Sequence, residues 1–307
     1  MGLIRYRGGM AAEQLIAVVG PTASGKTALA VRLALAFDGE LVSADSRQVY
    51  HGMDIGTGKE RDPLPGPDGV PTLLGVPQHL IDLVESDEAF SLADWQKRAF
   101  AVIADVLGRG KLPILVGGTG LYVKAVVDAL DLPDAPPDLG LRRRLEGKTS
   151  SELLWELRDL DPDKAKTIDR FNKRRLIRAI EIARAAVAGE EHAVGKEWPH
   201  YDVLQIGIDL PREELYRRID ARVDEQMARG LAGEVAGLVK RYGKELPALS
   251  GIGYQELVDS APDAVQRIKF DTHAYARRQM TWFRKDKRIH WVADQEEAVA
   301  LAQVFLA

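Results

Sequence analysis

Residues 20–27 read Gly20-Pro21-Thr22-Ala23-Ser24-Gly25-Lys26-Thr27. This is a full match to the spacing G-x-x-x-x-G-K-[ST], which lets backbone amides close around a phosphate. Amides from Ala23 to Thr27 can converge on an anion at the positive end of the helix that follows. Lys26 adds a point charge, and the Thr27 hydroxyl is placed to hold Mg2+ beside bound phosphates. Phosphate binding is the first expectation. Whether the phosphates are transferred, hydrolysed or expelled is not decided by this loop.

A carboxylate that could act with it is Asp45. It ends the apolar run "GELVSADS" (39–46), and open α/β sheets build their sites at carboxyl ends of strands. A lone Asp there can equally be a helix cap. The stretch that follows, "SADSRQVYHGMDIGTGK" (43–59), is rich in polar groups and glycines and suits a binding surface. The apolar strand expected at 114–116 runs into Gly117-Gly118-Thr119 where a nucleotide hydrolase usually places a metal-binding acid. Asp45, Asp82 and Asp209 also end apolar runs, so the role is not excluded.

Arginines supply the opposite charge. Arg218 and Arg222 stand four apart beside the stripe Leu215, Ile219, Val223. They are placed either to lean over phosphates or to pair with Asp220 or Glu225 on the same helix, and both readings stay open. Arg174, Arg175 and Arg178 lie opposite the stripe Leu176, Ile180, Ala183, Val187 and suit a phosphate backbone. "RRQMTWFRKDKRIHW" (277–291) interleaves cations with Trp282, Phe283 and Trp291, a mixture that suits single-stranded RNA. Met280, Phe283 and Trp282 can also pack a terminal helix onto the core. His51, His79, His192, His200, His273 and His290 have no metal-ligand spacing.

The elements that must position these groups alternate. Leu15–Val19 is a short apolar run before the phosphate loop, and "TALAVRLALAF" after it is helical. Further strands are expected at 39–46, 79–84 and 112–120, with a helix over 89–110 capped by Ser91 and ended by Gly108 and Gly110. This predicts an α/β core, its parallel sheet wound by helices on both faces. "DLPDAPPDLG" (131–140) reads as a linker, and 141–190 contains only helical segments. A strand returns at 201–210, followed by helix over 212–243 divided at Gly230. The expected organisation is a loose tail at 1–13, a core of 14–130 and 201–307, and an all-helical insertion at 131–200.

Whole-chain properties narrow the class. The chain has 307 residues, 46% of them hydrophobic and 29% charged, as in ordinary globular proteins. No apolar run suggests a membrane helix, and the first residues lack a secretory h-region. Met10 is an alternative start. Zero cysteines exclude disulfides, thiolate metal sites and a Cys nucleophile. A cytoplasmic location is compatible with this. The formal net charge of −4 argues mildly against nucleic acid. The basic clusters at 142–144, 173–178, 217–222 and 276–288 argue the other way.

In chain order, "GPTASGKT", "SADSRQVYHGMDIGTGK", "LPILVGGTGLYVKA", "RRLIRAIEI", "GIGYQEL" and "RRQMTWFRKDKRIHW" resemble the bacterial tRNA dimethylallyltransferases, also called tRNA isopentenyltransferases. The resemblance runs from about residue 15 to 292. It implies that the phosphates are those of dimethylallyl diphosphate, expelled when N6 of the adenosine just 3′ of the anticodon attacks the allylic carbon. It implies Asp45 as base, Gly20–Thr27 as diphosphate ligands, and Lys26, Arg222, Thr119 and Mg2+ in catalysis. It further implies tRNA contacts at Asp45, Ser46, Arg47, Gln48, Thr119, Arg142, Arg174, Arg175, Leu176, Ile177 and Arg178, and at Leu249, Ser250, Gly251, Ile252, Gly253 and Tyr254. The resemblance implies a P-loop kinase-like core whose helical insertion would grip the anticodon stem-loop, and a monomer is the simplest state.

Two places depart from the family pattern. Asp169-Arg-Phe-Asn-Lys173 stands where N-x-N-D-P is usual, and Glu60 where Pro is commoner. The rival readings are a P-loop kinase acting on ATP, with the insertion as a lid, and an RNA-binding regulator that senses a nucleotide without turnover.

Overall fold

The computed structural model describes residues 13–66, 68–133, 138–187, 198–258 and 261–307. The tail at 1–12 and the middle of the linker therefore lie outside the described residues. The described chain forms two compact units, one from 13–88, 95–130 and 198–307, the other from 89–94 and 131–187.

The larger unit contains β1 (Gln14–Val19), α1 (Lys26–Phe37), β2 (Gly39–Ser43), β3 (Thr72–Leu73), β4 (Val76–His79), most of α2 (Leu92–Gly108), β5 (Leu112–Gly117) and α3 (Gly120–Val127). The smaller unit holds α4 (Leu139–Glu146), α5 (Ser150–Leu160), α6 (Pro162–Thr167) and α7 (Lys173–Val187). The chain then returns with β6 (Asp202–Ile208), α8 (Arg212–Ala228), α9 (Leu231–Tyr242), a short 3-10 turn (Pro247–Ser250), α10 (Gln255–Val258), α11 (Ala264–Phe283), β7 (Ile289–Val292) and α12 (Gln295–Leu306).

Seven strands form one sheet in the order β3-β4-β2-β5-β1-β6-β7. All pairings are parallel except the β3–β4 hairpin at one edge. Leu15 to Val19 are fully buried because β1 lies between β5 and β6 and is covered on both faces. The register pairs Val19 with Gly117 on one side and Gly207 on the other. The loops after β1, β2, β5 and β6 consequently leave the same edge of the sheet, where open α/β sheets bind ligands. Ile16, Val18, Leu29, Leu33, Leu41, Ile114 and Ile206 form the core beneath that edge, with Val292 and Ala298 from the chain's end.

Three expectations change. Of the strand expected at 79–84 only His79 lies in a strand, as the last residue of β4. Leu80 and Asp82 adopt φ of 65° and 50°, outside strand geometry, while the apolar Leu80 and Ile81 are still buried. An apolar run is equally a buried loop when its carboxylate is anchored, and Asp82 binds Lys59 at 2.5 Å. Secondly, β7, α12 and the β3–β4 hairpin were not foreseen. Thirdly, Leu176, Ile180 and Ala183 face inward as the periodicity requires, but Val187 is 73% exposed at the last position of α7.

In the smaller unit Leu141, Leu145, Leu153, Leu157, Leu176, Ile177 and Ile180 close one core. Thr149 and Glu152 form a reciprocal capping box at the start of α5.

Candidate active site

The phosphate loop closes over the start of α1. Gly20 and Gly25 adopt φ of 142° and 91°, and Ala23 sits at 61° despite its Cβ. A non-glycine residue there costs about 1–2 kcal/mol, which the loop accepts in order to turn its amides inward. Lys26 Nζ donates to Pro21 O at 2.6 Å, spanning the loop. Lys26 as a residue keeps partial solvent contact, but its ammonium is enclosed. Burial first, then the neighbouring Arg222 charge, brings its pKa down to about 7, against an opposing pull from Asp45. An anion seated between Lys26 and Arg222 would raise it again. Ser24 Oγ is buried and has no hydrogen-bond partner among the described residues.

Facing this loop across one cleft are Asp45, Gln48, Thr57, Gly58, Glu60 and Arg222, with Gly117 and Gly118 at its base. Asp45 follows β2 directly. Its Oδ1 accepts the amides of Arg47 at 2.8 Å and Gln48 at 3.4 Å, which fixes the carboxylate's direction. Among the described residues Oδ2 accepts no hydrogen bond. Asp82 and Asp209, the other strand-end acids, are bound to Lys59 and Arg61 and to Arg284. Neither lines the cleft, so Asp45 is the strand-end carboxylate that faces the phosphate loop.

The paired arginines of α8 divide. Arg218 Nε donates to Glu214 at 2.6 Å, one turn back and not to Asp220 or Glu225. Its guanidinium still lies 3.9 Å from where a Cβ on Gly25 would be. Arg222 turns into the cleft, with Nη2 3.4 Å from Thr57 O. The approach is possible because residue 58 is glycine: a Cβ there would come within 1.8 Å of Arg222 Nη2.

Sequence reasoning missed the groups that complete the cleft. Gln279, on α11, accepts from the Thr22 amide at 2.9 Å and donates to Gly118 O at 2.8 Å. It ties the phosphate loop to the end of β5, and a Cβ at Gly118 would fall 2.3 Å from its Nε2. Tyr275, one turn earlier, lines the same cleft. Burial raises its phenol pKa and Asp45 adds to the rise, while a hydrogen bond with the Thr119 side chain opposes it. The signal available was the spacing of four between Tyr275 and Gln279, but nothing local pointed at the phosphate loop.

The loop carrying Thr57 is itself clamped. Glu234, on α9, accepts the amides of Asp54, Ile55 and Gly56 at 2.9, 2.7 and 3.2 Å. Gln226 donates to the carbonyls of Ile55 and Gly56 at 2.7 and 3.1 Å. Lys59 is buried and donates to Tyr50 O and to Asp54 and Asp82, so the last residue of "GTGK" serves the frame.

The residues expected to touch RNA fall in two places. In the larger unit Ser46 N donates to Thr119 Oγ1 at 3.3 Å. Arg47 donates to Ala248 O and Ser250 Oγ at 3.2 and 3.1 Å. The turn 248–250 is thereby joined to the segment 45–48. Within 249–254, Ser250 is exposed and Ile252 partly so; Leu249, Gly251, Gly253 and Tyr254 are buried. In the smaller unit Arg174 and Arg175 are exposed, but Leu176 and Ile177 are core, so their side chains pack and do not face a ligand. Arg142 is bidentate to the buried Glu181 at 2.7 and 2.8 Å, with Arg178 at 3.4 Å from the same group. Its charge balances a buried carboxylate.

A phosphate loop opening a helix at the carboxyl edge of a mostly parallel sheet, faced by a carboxylate and an arginine, defines a core of the P-loop type, with a helix N-terminus suited to an anion. Two family models match the chain: IPP transferase over residues 48–286 and isopentenyl transferase over residues 13–63. A tRNA dimethylallyltransferase of Thermomicrobium roseum is 45% identical over 293 residues, covering 91% of this chain and 86% of that protein. The crystal structure of a full-length tRNA isopentenylpyrophosphate transferase from Bacillus halodurans superposes with a TM-score of 0.67 at 36% identity, covering 96% and 95% of the two chains. A eukaryotic dimethylallyltransferase acting on tRNA gives 0.75 at 25% identity, covering 96% of this chain and 80% of its own. The chain belongs to the IPP transferase family. Among the described residues no helix is long and apolar enough to cross a membrane.

Proposed function

We infer that this chain transfers a dimethylallyl group from dimethylallyl diphosphate to a tRNA, at N6 of the adenosine just 3′ of the anticodon, releasing diphosphate. The observation that carries the reading is one cleft in which the Asp45 carboxylate faces the phosphate loop, with Lys26 and Arg222 beside that loop. Such a cleft offers a base and a leaving-group site to a single substitution. The family's prenyl chemistry selects this over phosphoryl transfer.

The residues divide the work. As the C–N bond forms and the allylic C–O bond breaks, the N6 proton passes to Asp45 Oδ2, whose other oxygen is held by the Arg47 and Gln48 amides. The departing diphosphate is stabilised by the loop amides, Lys26 and Arg222, groups already aimed where negative charge grows. Tyr275 and Thr119 border the path to Asp45. A phosphate-borne Mg2+ fits this donor set, in which the Thr27 hydroxyl lines the cleft with Asp45 across from it. It would supply further neutralisation of the leaving group. The adenosine reaches the cleft by leaving its stack, at a cost of about a few kcal/mol.

The exposed Arg174 and Arg175 of the helical unit, and Arg47 with Ser250 of the larger one, support the tRNA contacts. A cytoplasmic monomer binding one tRNA completes the reading, and light scattering with and without tRNA tests that stoichiometry. The decisive experiment incubates the protein with dimethylallyl diphosphate, Mg2+ and unmodified tRNA, then analyses nucleosides by mass spectrometry. Isopentenyladenosine is expected. Consumption of ATP with the prenyl donor left intact would overturn the reading.

A further inference from the structure

The helical unit carries a surface feature that the prenyl-transfer chemistry does not use. Trp155 is 63% exposed and Phe171 is 79% exposed. In α5 the buried Leu153 and Leu157 stand four apart and fix the inward face, so Trp155, two positions from each, is directed outward by helical geometry. Phe171 lies in the turn between α6 and α7. That turn is held: the Phe171 amide donates to Asp169 Oδ1 at 3.1 Å, and the Arg175 amide donates to Asn172 Oδ1 at 3.1 Å.

The two rings line one shallow concavity together with Ser150, Ser151, Arg158 and Arg170. The Arg158 guanidinium sits 4.7 Å above the Trp155 ring, and that of Arg170 sits 4.9 Å above Phe171. Among the described residues neither arginine is paired with a carboxylate. Asp169 and Glu152 are engaged with backbone, Asp169 with the Phe171 amide and Glu152 with the Thr149 amide at 2.7 Å.

We propose that this concavity is a stacking platform for an unpaired nucleobase of the RNA substrate. The inference rests on the tRNA reading above and adds a contact to it. An exposed aromatic ring offers a flat base a surface to stack on, and the guanidiniums that lie over the two rings can meet the phosphates that flank the base. Two cations without carboxylate partners favour a polyanion over an ordinary protein surface. The platform falls on the segment 169–173, where this chain departs from the family's N-x-N-D-P.

The test uses the full chain and a labelled, unmodified anticodon stem-loop RNA, with binding read by anisotropy at several salt concentrations. The double variant W155A/F171A should bind roughly ten- to a hundredfold more weakly at every salt, with the slope of log Kd against log salt unchanged. R158A/R170A should instead reduce that slope by about 1.5. Trp155→Phe keeps a ring and should retain most of the affinity. Matching circular dichroism and melting curves check that each variant is folded. A W155A/F171A affinity within twofold of the parent overturns the platform. A parent chain that neither binds the RNA nor prenylates it overturns the functional reading, and the platform with it.

Discussion

The Tyr254 hydroxyl donates to Glu234 Oε1 at 2.6 Å, and the same carboxylate accepts three consecutive backbone amides from the loop that carries Thr57. Tyr254 is 1% exposed, and its ring lies so close to Gly56 that a Cβ there would come within 2.4 Å. Burial first, then Glu234, raises the phenol's pKa, so it stays a donor at all working pH values. The pair fixes the Thr57 carbonyl, which in turn meets Gln48 and Arg222 at 3.4 Å each. It connects the "GIGYQE" segment to the cleft without entering it.

Removing that connection should uncouple the loop. Glu234→Gln keeps the shape but weakens the charge-assisted bonds, at a cost of about 2 kcal/mol in stability. Tyr254→Phe should cost about 1 kcal/mol. Both should lower kcat more than they raise the KM for tRNA, because the affected group, Arg222, faces the leaving diphosphate. Urea unfolding and steady-state kinetics check the two parts separately.

Asp45→Asn preserves the hydrogen bonds to the Arg47 and Gln48 amides but cannot take a proton. It should lose about 10²–10⁴ in kcat while tRNA affinity stays within a few-fold. Single-turnover rates of isopentenyladenosine formation would measure the loss. Near-normal turnover would remove Asp45 from the role of base.

Glycine substitutions separate strain from steric displacement. Gly58→Ala places a Cβ 1.8 Å from Arg222 Nη2 at φ 63°, whereas Gly69→Ala imposes a similar φ of 75° with nothing within 4 Å. Each should cost about 1 kcal/mol in stability from backbone strain. Gly58→Ala should also raise the KM for dimethylallyl diphosphate by tenfold or more, and Gly69→Ala should leave kinetics alone. Thermal melts beside steady-state assays give both readouts.

Acid stability should depend on Glu40, at the start of β2. Its Oε1 accepts from Arg109 Nη1, its Oε2 accepts from Arg109 Nη2 at 2.8 Å and bonds His79 Nε2 at 2.7 Å, and the side chain is 3% exposed. The Arg109 hydrogen bond is the largest effect; it outweighs the opposing burial and, with His79, holds the pKa at about 2. A carboxylate with a depressed native pKa stabilises the fold above its unfolded value, near 4.5, and loses that stabilisation as pH falls toward 2. Glu40→Gln should lower stability at pH 7 by roughly 2 kcal/mol and flatten the decline between pH 5 and 2, as followed by denaturant titrations across that range.

Metal removal tests the assignment at Thr27. Chelation with EDTA should abolish prenyl transfer and leave tRNA binding in place. Thr27→Ala should shift the Mg2+ dependence to higher concentration, whereas Thr27→Ser should retain it. A Thr27→Ala enzyme with an unchanged Mg2+ profile would place the ion elsewhere.

What the sequence determined by itself was local. The phosphate loop between β1 and α1 is legible because a turn's amides and its following helix are specified by adjacent residues. The division of 212–243 at Gly230 is legible because that glycine takes φ 99° between two helices. The inward stripe of α7 follows from a 3.6-residue period, which Leu176 and Ile180 obey and Val187, at the helix end, does not.

Tertiary structure decided the rest, since the partners are far apart in the chain. Gln279 meets Thr22 across 257 residues, and Glu234 meets Asp54 across 180. Arg142 is committed to Glu181, 39 positions away, although its own neighbours suggest a free basic cluster. Residues 80–83 are apolar enough to extend a strand, yet form a loop in which Asp82 is drawn to Lys59 and Arg61. Backbone preference and hydrophobic period act over one or two turns. Which charge meets which amide depends on how the sheet orders its strands, and that order is settled only when the whole core is packed.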